Sequence, residues 1–203
     1  MTASTAIARI KIVLDDVEPA VMRRLEVPLK LRLDRLHIVI QHAVGWTDSH
    51  LYEFRIRDIG FGIPDPDWGF DGPLDARKTT LLDAIEDTGA KSFRYIYDFG
   101  DGWEHSIRIE RIGTAVPGLV YPRLIDAAGR CPPEDVGGPW GYQEFLEAMT
   151  DPDHERRRET VEWWGEETFD PTAVDSAAIE EALTKLGRRW TRRPRTMSRG
   201  KAE

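Results

Sequence analysis

Cysteine is nearly absent from this chain, since Cys131 is the only one among 203 residues. A disulfide within the chain is therefore impossible, and so is a zinc ribbon or finger built on several cysteines. No apolar run approaches the roughly 20 residues that a helix needs to cross a bilayer. Residues 1–8 have neither a basic start nor an apolar core, so they do not resemble a secretory signal. These absences predict a cytoplasmic protein in a reducing compartment, with no membrane partner.

Familiar catalytic signatures are missing as well. The chain has no Walker-type loop, no Rossmann glycine fingerprint, no Gly-x-Ser-x-Gly elbow and no His-Glu-x-x-His. A nucleophilic pair of Cys131 with a histidine has no motif to support it. No motif therefore assigns an enzyme class, and the catalytic residues stay unknown.

Charge is distributed unevenly along the chain, although the net value is only −8. Residues 188–203 hold seven basic side chains and one acid, a net charge of +6, and the remaining body carries −14. An acidic body repels the phosphate backbone of nucleic acids. The basic tail could bind nucleic acid or an acidic protein partner, or it could be a solvated, disordered end. The nucleic-acid-binding candidates in it are Arg188, Arg189, Arg192, Arg193 and Arg195.

Hydrophobic periodicity predicts most of the elements. Strands are expected over residues 7–16, 21–27 and 51–57, and Gly/Pro-rich loops over residues 60–73 and 113–141. Helices are expected over residues 36–44, 81–87, 142–149, 151–164 and from 176 onward. Their expected N-terminal caps are Asp34, Thr80 with Asp83, Asp151 followed by a proline, and Asp175.

A β-hairpin is the clearest supersecondary signal. Residues 93–97 and 103–109 alternate between apolar and polar side chains, and the turn between them is rich in glycine and aspartate. Strands come mostly in the N-terminal two thirds and helices follow them, which favours an α+β fold. We expect a mixed, mainly antiparallel sheet with helices packed on it. The expected organisation is one domain over residues 5–187 and a basic, disordered tail over residues 188–203.

Three stretches crowd polar and aromatic residues together: 45–51, 97–105 and 131–138. The hairpin turn brings Asp98 and Asp101 near the returning strand, which carries His105. Such a group could bind a divalent ion or act as general acid and base. A simpler interpretation is that aspartates bond to turn amides and that His105 is a satisfied, half-buried histidine.

The third stretch places Glu134 and Asp135 between two prolines and two glycines. That rigid frame suits a site of precise geometry, or else an acidic loop that caps the following helix. His50, which follows the first helix, could join these groups in space. The candidate cluster is His50, Asp98, Asp101, His105, Glu134 and Asp135, with a divalent metal as its possible cofactor. The hypothesis of a metal-dependent hydrolase predicts that at least four of these side chains surround one ion.

These same stretches resemble the plasmid pRiA4b Orf-three-like family, also described as TnpR-type passenger proteins of insertion elements. The resemblance covers about residues 10–186. It implies an α+β fold and an origin among mobile elements of bacterial genomes. It does not indicate a molecular activity. Two positions depart from the family pattern, Met22 for a tryptophan and Val136 for a cysteine. The resemblance rests on Arg23-Arg24, Leu36-His37, Gly45-Trp46, Ser49-His50-Leu51, 97–101, 103–105, 131–135, Gly137-Gly138 and Gly141-Tyr142.

Three functions remain open from the sequence. The first is a non-enzymatic accessory or binding protein associated with mobile DNA, supported by the resemblance and the basic tail. The second is a protein-interaction module that uses loop 113–141. The third is a metal-dependent, hydrolase-like enzyme. Distances among the six candidate side chains distinguish the third hypothesis from the other two.

Overall fold

A computed structural model describes residues 6–65 and 72–191. These residues form eight strands and five helices. The strands are β1 Ala6–Leu14, β2 Val21–Pro28, β3 Tyr52–Ile56, β4 Ile59–Gly62, β5 Leu74–Asp75, β6 Ser92–Tyr97, β7 Trp103–Thr114 and β8 Arg123–Ala128. The helices are α1 Leu33–Val44, α2 Leu81–Thr88, α3 Gly138–Thr150, α4 Arg157–Trp164 and α5 Ser176–Thr191.

All eight described strands belong to one sheet, in the order β5-β4-β3-β6-β7-β1-β2-β8. Every neighbouring pair is antiparallel except β4 with β5, which is parallel. The predicted α+β class is therefore confirmed, as are the mainly antiparallel sheet and the C-terminal concentration of helices. The predicted hairpin is β6 with β7, in which Tyr97 pairs with Trp103.

The core follows from the alternation of the central strands. Ile10 and Ile12 of β1 are fully buried, while the alternating residues Arg9 and Lys11 lie on the other face. α1 presents its apolar stripe to the same core. The hydrophobic effect stabilises such packing by about 2 kcal/mol for each large aliphatic side chain that is fully buried.

Two helix starts differ from the prediction. α1 begins at Leu33 after Arg32, and Asp34 is not its cap: the Asp34 carboxylate accepts two hydrogen bonds from the Arg32 guanidinium, at 2.9 and 2.7 Å. Asp151 ends α3 instead of starting α4, and its Oδ1 accepts from the Asp153 amide within a local turn. Aspartate serves several such local roles, so its presence alone does not fix a helix start.

Other predicted caps are confirmed. Thr80 and Asp83 form a reciprocal capping box at the start of α2. Asp175 Oδ1 accepts from the Ala178 amide, 2.9 Å away, at the start of α5. Gly45 ends α1 in the left-handed conformation, where glycine has no steric cost.

The two predicted loops are only partly irregular. β4 occupies part of loop 60–73, and residues 66–71 lie outside the described residues. Loop 113–141 contains β8 and the start of α3. β8 was missed because its hydrogen-bonding partner, β2, lies about a hundred residues earlier in the chain. β4 was missed because it has only four residues and two of them are glycines.

Within residues 6–65 and 72–191, no helix combines the length and apolarity that a membrane span would require. The expected tail boundary falls inside a helix, because Arg188 and Arg189 lie in the last turn of α5. Arg192, Arg193 and Arg195 lie outside the described residues.

Candidate functional site

Three chain segments meet at one end of the sheet: the loop after α1, the turn between β6 and β7, and the diproline loop before α3. The indole N–H of Trp46 donates to the Pro132 carbonyl, 2.9 Å away. The amide of Gly137 donates to Asp101 Oδ2, 3.1 Å away. The spatial convergence of the three polar stretches is therefore a feature of the structure.

His50, Asp98 and Asp135 bring one potential ligand atom each to a common point. His50 Nε2 lies 2.9 Å from Asp135 Oδ1 and 3.6 Å from Asp98 Oδ2. The donor atoms of the three side chains all lie within 4.8 Å of one another. The side chains of His50, Asp98 and Asp135 are 30%, 12% and 66% exposed, so the group opens to solvent mainly beside Asp135.

The short contact between His50 and Asp135 lacks the geometry of a hydrogen bond. His50 Nε2 is itself buried and has no hydrogen-bond partner among the described residues, although a carboxylate oxygen lies 2.9 Å away. A buried polar atom without a partner calls for an explanation, and a bound ion would supply one.

Asp98 and Asp135 both adopt left-handed backbone conformations, with φ of 55° and 59°. Asp48, beside the same site, has φ of 60°. Aspartate tolerates this region better than most residues, but the conformation is still uncommon. Non-glycine residues held in it cluster at functional sites, where the surrounding structure supports the strain.

Asp98 divides its two oxygens between two roles. Oδ1 accepts hydrogen bonds from the amides of Gly100, at 3.0 Å, and Asp101, at 3.4 Å, as in an ordinary turn. Oδ2 lies on the side of His50. The turn interpretation and the ligand interpretation therefore apply to different atoms of the same carboxylate.

The remaining acids of the predicted cluster hold loops together. Glu134 Oε2 accepts from the amide and hydroxyl of Thr47, at 2.9 and 2.6 Å, and Oε1 accepts from the Tyr97 hydroxyl, at 2.7 Å. Asp101 accepts from the Gly137 amide. Both carboxylates are thus occupied by the protein's own donors.

His105 is buried in the core and does not belong to the group of His50, Asp98 and Asp135. It is 0% exposed, and its ring lies 5.5 Å from that of Trp46 and 5.2 Å from that of Tyr95. The expectation of a satisfied, half-buried histidine is therefore wrong, because the ring is fully buried and neither nitrogen has a hydrogen-bond partner among the described residues. Burial lowers the pKa of His105 to about 4, and the neighbouring backbone of Tyr95 and Trp103 opposes this only in part. The imidazole is therefore neutral at neutral pH. Only three of the six predicted side chains converge, so the expectation of four ligands for a hydrolase is wrong.

A buried polar network beneath the site was not predicted. His37 stacks on Tyr52 with ring centroids 3.7 Å apart, and it bonds to the Tyr95 hydroxyl at 2.7 Å and to Asp48 at 2.5 Å. Gln41 donates to the Tyr95 hydroxyl and accepts from the Asp48 amide. The Tyr95 hydroxyl therefore donates to His37 Nδ1, and His37 Nε2–H donates to Asp48.

Burial lowers the pKa of His37, although its hydrogen bond to the Asp48 carboxylate acts in the opposite direction. Both ring nitrogens are engaged, so this neutral histidine positions the loop that leads to His50. The sequence held one signal of this role, since His37 and Gln41 lie one turn apart beside the apolar stripe of α1.

Tyr97 links the site to the diproline loop. Its hydroxyl donates to Glu134 and accepts from the Ser49 amide, 2.9 Å away, and its ring meets His50 edge-on at 5.7 Å. Burial raises the pKa of Tyr97 well above its usual range, so the hydroxyl remains a donor. Ser49, His50 and Glu134 are therefore positioned by one side chain.

A glycine allows the diproline loop to approach the hairpin turn. Gly138 has φ of 69°, and a Cβ atom there would lie 2.2 Å from the carbonyl oxygen of Asp101. No other residue fits both the backbone conformation and this contact.

Two concave surfaces flank the diproline loop. A groove of about 960 Å³ lies on one side, bounded by α1, α4, α5 and the segment 130–134, and neither His50 nor Asp98 lines it. A smaller cavity of about 190 Å³ includes Asp135 in its wall, together with residues of α3 and α4. The convergent histidine and aspartates are thus separate from the larger groove.

The fold and this end of the sheet define an α+β domain with a solvent-open His/Asp/Asp group. The chain matches the family described as "Plasmid pRiA4b ORF-3-like protein" over residues 6–178. It therefore belongs to that family, as the sequence resemblance implied.

The chain is also similar to two individual proteins. The chain is 59% identical to "Uncharacterized protein y4hQ" of Sinorhizobium fredii, over 94% of this chain and 97% of the relative. A crystal structure of MM3350, a protein of unknown function from Methanosarcina mazei, superposes with a TM-score of 0.75 at 31% identity. The superposition covers 86% of this chain and 98% of that one. Neither description states an activity.

Proposed function

We propose that this protein binds one divalent metal ion through His50 Nε2, Asp98 Oδ2 and Asp135 Oδ1, and that the ion carries a hydrolase-like activity. The observation that supports the proposal is the convergence of three potential ligand atoms from three separate segments within 4.8 Å. Ligands bound about 2.1 Å from one ion lie about 3.0–3.4 Å apart. The contacts of 2.9 and 3.6 Å from His50 Nε2 need only small adjustments to fit.

Three protein ligands are typical of catalytic metal sites, which keep a coordination position for water or substrate. An ion bound there would act as a Lewis acid and would lower the pKa of its bound water. The described residues supply one such ligand group, so a single-ion mechanism is favoured over the two-metal mechanism. One imidazole with two carboxylates suits Zn²⁺, Mn²⁺ or Fe²⁺.

The surrounding hydrogen bonds supply the rigidity that such a site requires. Glu134 precedes Asp135 and is held by three hydrogen bonds, while Ser49 precedes His50 and donates to Tyr97. A ligand set whose supporting residues are fixed loses less conformational entropy when it binds an ion.

Isothermal titration with Zn²⁺ and Mn²⁺, after treatment with a chelator, tests metal binding directly. We expect one ion per chain and at least a tenfold loss of affinity in His50→Ala and in Asp135→Asn. His42→Ala is the matched control, because His42 is an exposed histidine outside the ligand group. Binding that survives in both ligand variants, or no binding by the wild-type protein, contradicts the proposal.

Hydrolysis is tested separately with the metal-loaded protein and bis(p-nitrophenyl) phosphate. We expect turnover that disappears with chelator and in Asp135→Asn. Metal binding without turnover would leave a metal-binding protein and would refute the hydrolase-like activity. The single, buried thiol of Cys131 is consistent with a reducing cytoplasm as the compartment of this activity.

An accessory role on mobile DNA, with nucleic acid or a protein as partner, is the second candidate. The observation that favours it is the exposed basic end of α5, where Arg188 and Arg189 lead into the basic segment 192–203. Lysine and arginine contacts to phosphates release counterions, so this role predicts binding that weakens steeply with salt.

A further inference from the structure

The groove of about 960 Å³ has the size of a small-molecule site and no role in the proposed metal centre. It lies between the C-terminal end of α1, the segment 130–134, and helices α4 and α5. Its walls are rich in flat apolar surface, contributed by three tryptophans and two prolines: Trp46, Trp163, Trp164, Pro132 and Pro133. Trp46 and Pro132 are largely buried, so a planar apolar molecule would pack mainly against Trp163 and Trp164.

Arg23, in the wall of this groove, is a buried cation without a carboxylate partner. It is 3% exposed, and its Nε and Nη1 donate only to backbone carbonyls, of Met22, Ala43, Ala128 and Gly129. Its Nη2 has a single weak acceptor, the sulfur of Cys131 at 3.8 Å. Buried charges are normally paired, so an anion near Nη2 would compensate this one.

Arg130 is a second guanidinium in the same wall without an ion pair among the described residues. It lies over the rings of Trp164, at 5.2 Å, and Phe169, at 4.5 Å. The indole N–H of Trp164 is buried and has no acceptor among the described residues. The groove wall therefore contains two arginines with no salt bridge among the described residues, Arg23 and Arg130, and one N–H with no acceptor among them, that of Trp164.

The acids of the groove do not satisfy these donors. Both oxygens of Glu134 accept hydrogen bonds, from Thr47 and Tyr97. Asp175 caps α5 by accepting from the Ala178 amide. The two arginines and two acids of the groove have a net formal charge of zero. The net charge of the groove therefore does not determine which ligand binds. The ligand is instead selected by the guanidinium groups of Arg23 and Arg130 and the N–H of Trp164. These donors favour an acceptor-rich group such as a carboxylate, sulfonate or phosphate.

We infer that this groove binds a small anionic molecule with a planar apolar body, its acidic group held by Arg130 and Arg23 and its flat body placed against the tryptophans. This site is independent of the metal ion, because neither His50 nor Asp98 lines the groove.

A matched pair of fluorescent dyes tests the inference on the full chain. Anilinonaphthalene sulfonate carries a sulfonate on a planar body, and N-phenylnaphthylamine has nearly the same body without the charge. Titrations in the presence of EDTA remove any contribution of metal. We expect the anionic dye to bind with one-to-one stoichiometry, and Arg130→Met to weaken it about tenfold while changing the neutral dye less than about twofold.

Methionine preserves the apolar stem that packs on the aromatic rings, so Arg130→Met removes mainly the charge. Trp164→Phe removes the indole N–H and keeps a ring, and it is expected to weaken the anionic dye several-fold even if Arg130→Met fails to fold. Arg158→Met, on the exposed side of α4, is the matched control and should change neither dye. Absent binding, binding unchanged by both groove variants, or equal weakening of both dyes overturns the inference.

Discussion

Replacing His105 with phenylalanine should remove much of the protein's loss of stability in mild acid. The folded pKa of His105 is about 4, whereas the unfolded chain has the ordinary value of about 6.5. Because the folded value is the lower one, the unfolded state takes up the proton first as pH falls. The stability contributed by the neutral, buried imidazole is fully present above about pH 6.5. It is lost as the pH falls towards 4.

The size of this effect follows from the two pKa values. The difference between them lowers the free energy of unfolding by about 3 kcal/mol once the pH is well below 4. About 2.5 kcal/mol of this loss occurs between pH 7 and pH 4.5. Phenylalanine fits the aromatic surroundings formed by Trp46 and Tyr95, and any constant cost of its larger ring cancels in a comparison across pH.

Urea unfolding followed by circular dichroism at several pH values measures the difference. We expect the free energies of unfolding of the wild-type and His105→Phe proteins to differ by a constant amount above pH 7.5. Below pH 6.5 the two curves should converge or cross, with the wild-type protein falling more steeply. Parallel curves from pH 7 to pH 4.5 would show that burial of this imidazole is not a source of acid sensitivity.

Two further predictions address the site and the tail. Tyr97→Phe should destabilise the protein by about 1–3 kcal/mol in urea unfolding, because it leaves Glu134 short of a donor. The matched variant Tyr142→Phe should be neutral or stabilising, since the Tyr142 hydroxyl is buried without a partner among the described residues; equal losses in both would contradict this reasoning. Deletion of residues 192–203 should abolish any nucleic-acid binding seen in gel shifts at low salt, and binding retained by the shortened chain would refute the proposed role of the tail.

The sequence was most informative where structure depends on local periodicity. The alternation of β1 and of the β6–β7 hairpin, and the capping box of Thr80, are set by residues close in sequence. β8 is an edge strand whose partner, β2, lies about a hundred residues earlier, so a Pro/Gly-rich composition gave no signal of it. The predictions that Asp34 and Asp151 cap helix N-termini were wrong for a different reason. Asp34 accepts from the Arg32 side chain and Asp151 from an amide in a local turn, rather than from a helix amide.

The site was predictable as a region and unpredictable atom by atom. Crowding of polar residues in three stretches indicated the place where those stretches meet. Whether a carboxylate faces a loop amide or another ligand depends on the loop backbone, including the left-handed conformations of Asp98 and Asp135. His105 shows the limit of strand alternation, because a position that shares a face with Trp103 is buried in the core rather than presented at the hairpin end.

At this end of the sheet, a residue held by hydrogen bonds stands next to a proposed metal ligand. Glu134 is held by three hydrogen bonds, whereas the next residue, Asp135, has a side chain that is 66% exposed and lies 2.9 Å from His50 Nε2. Asp98 makes the same division within one carboxylate, with Oδ1 in the turn and Oδ2 on the side of His50. The positions of Asp98 Oδ2 and Asp135 Oδ1 beside the buried Nε2 of His50 therefore support the proposed metal site.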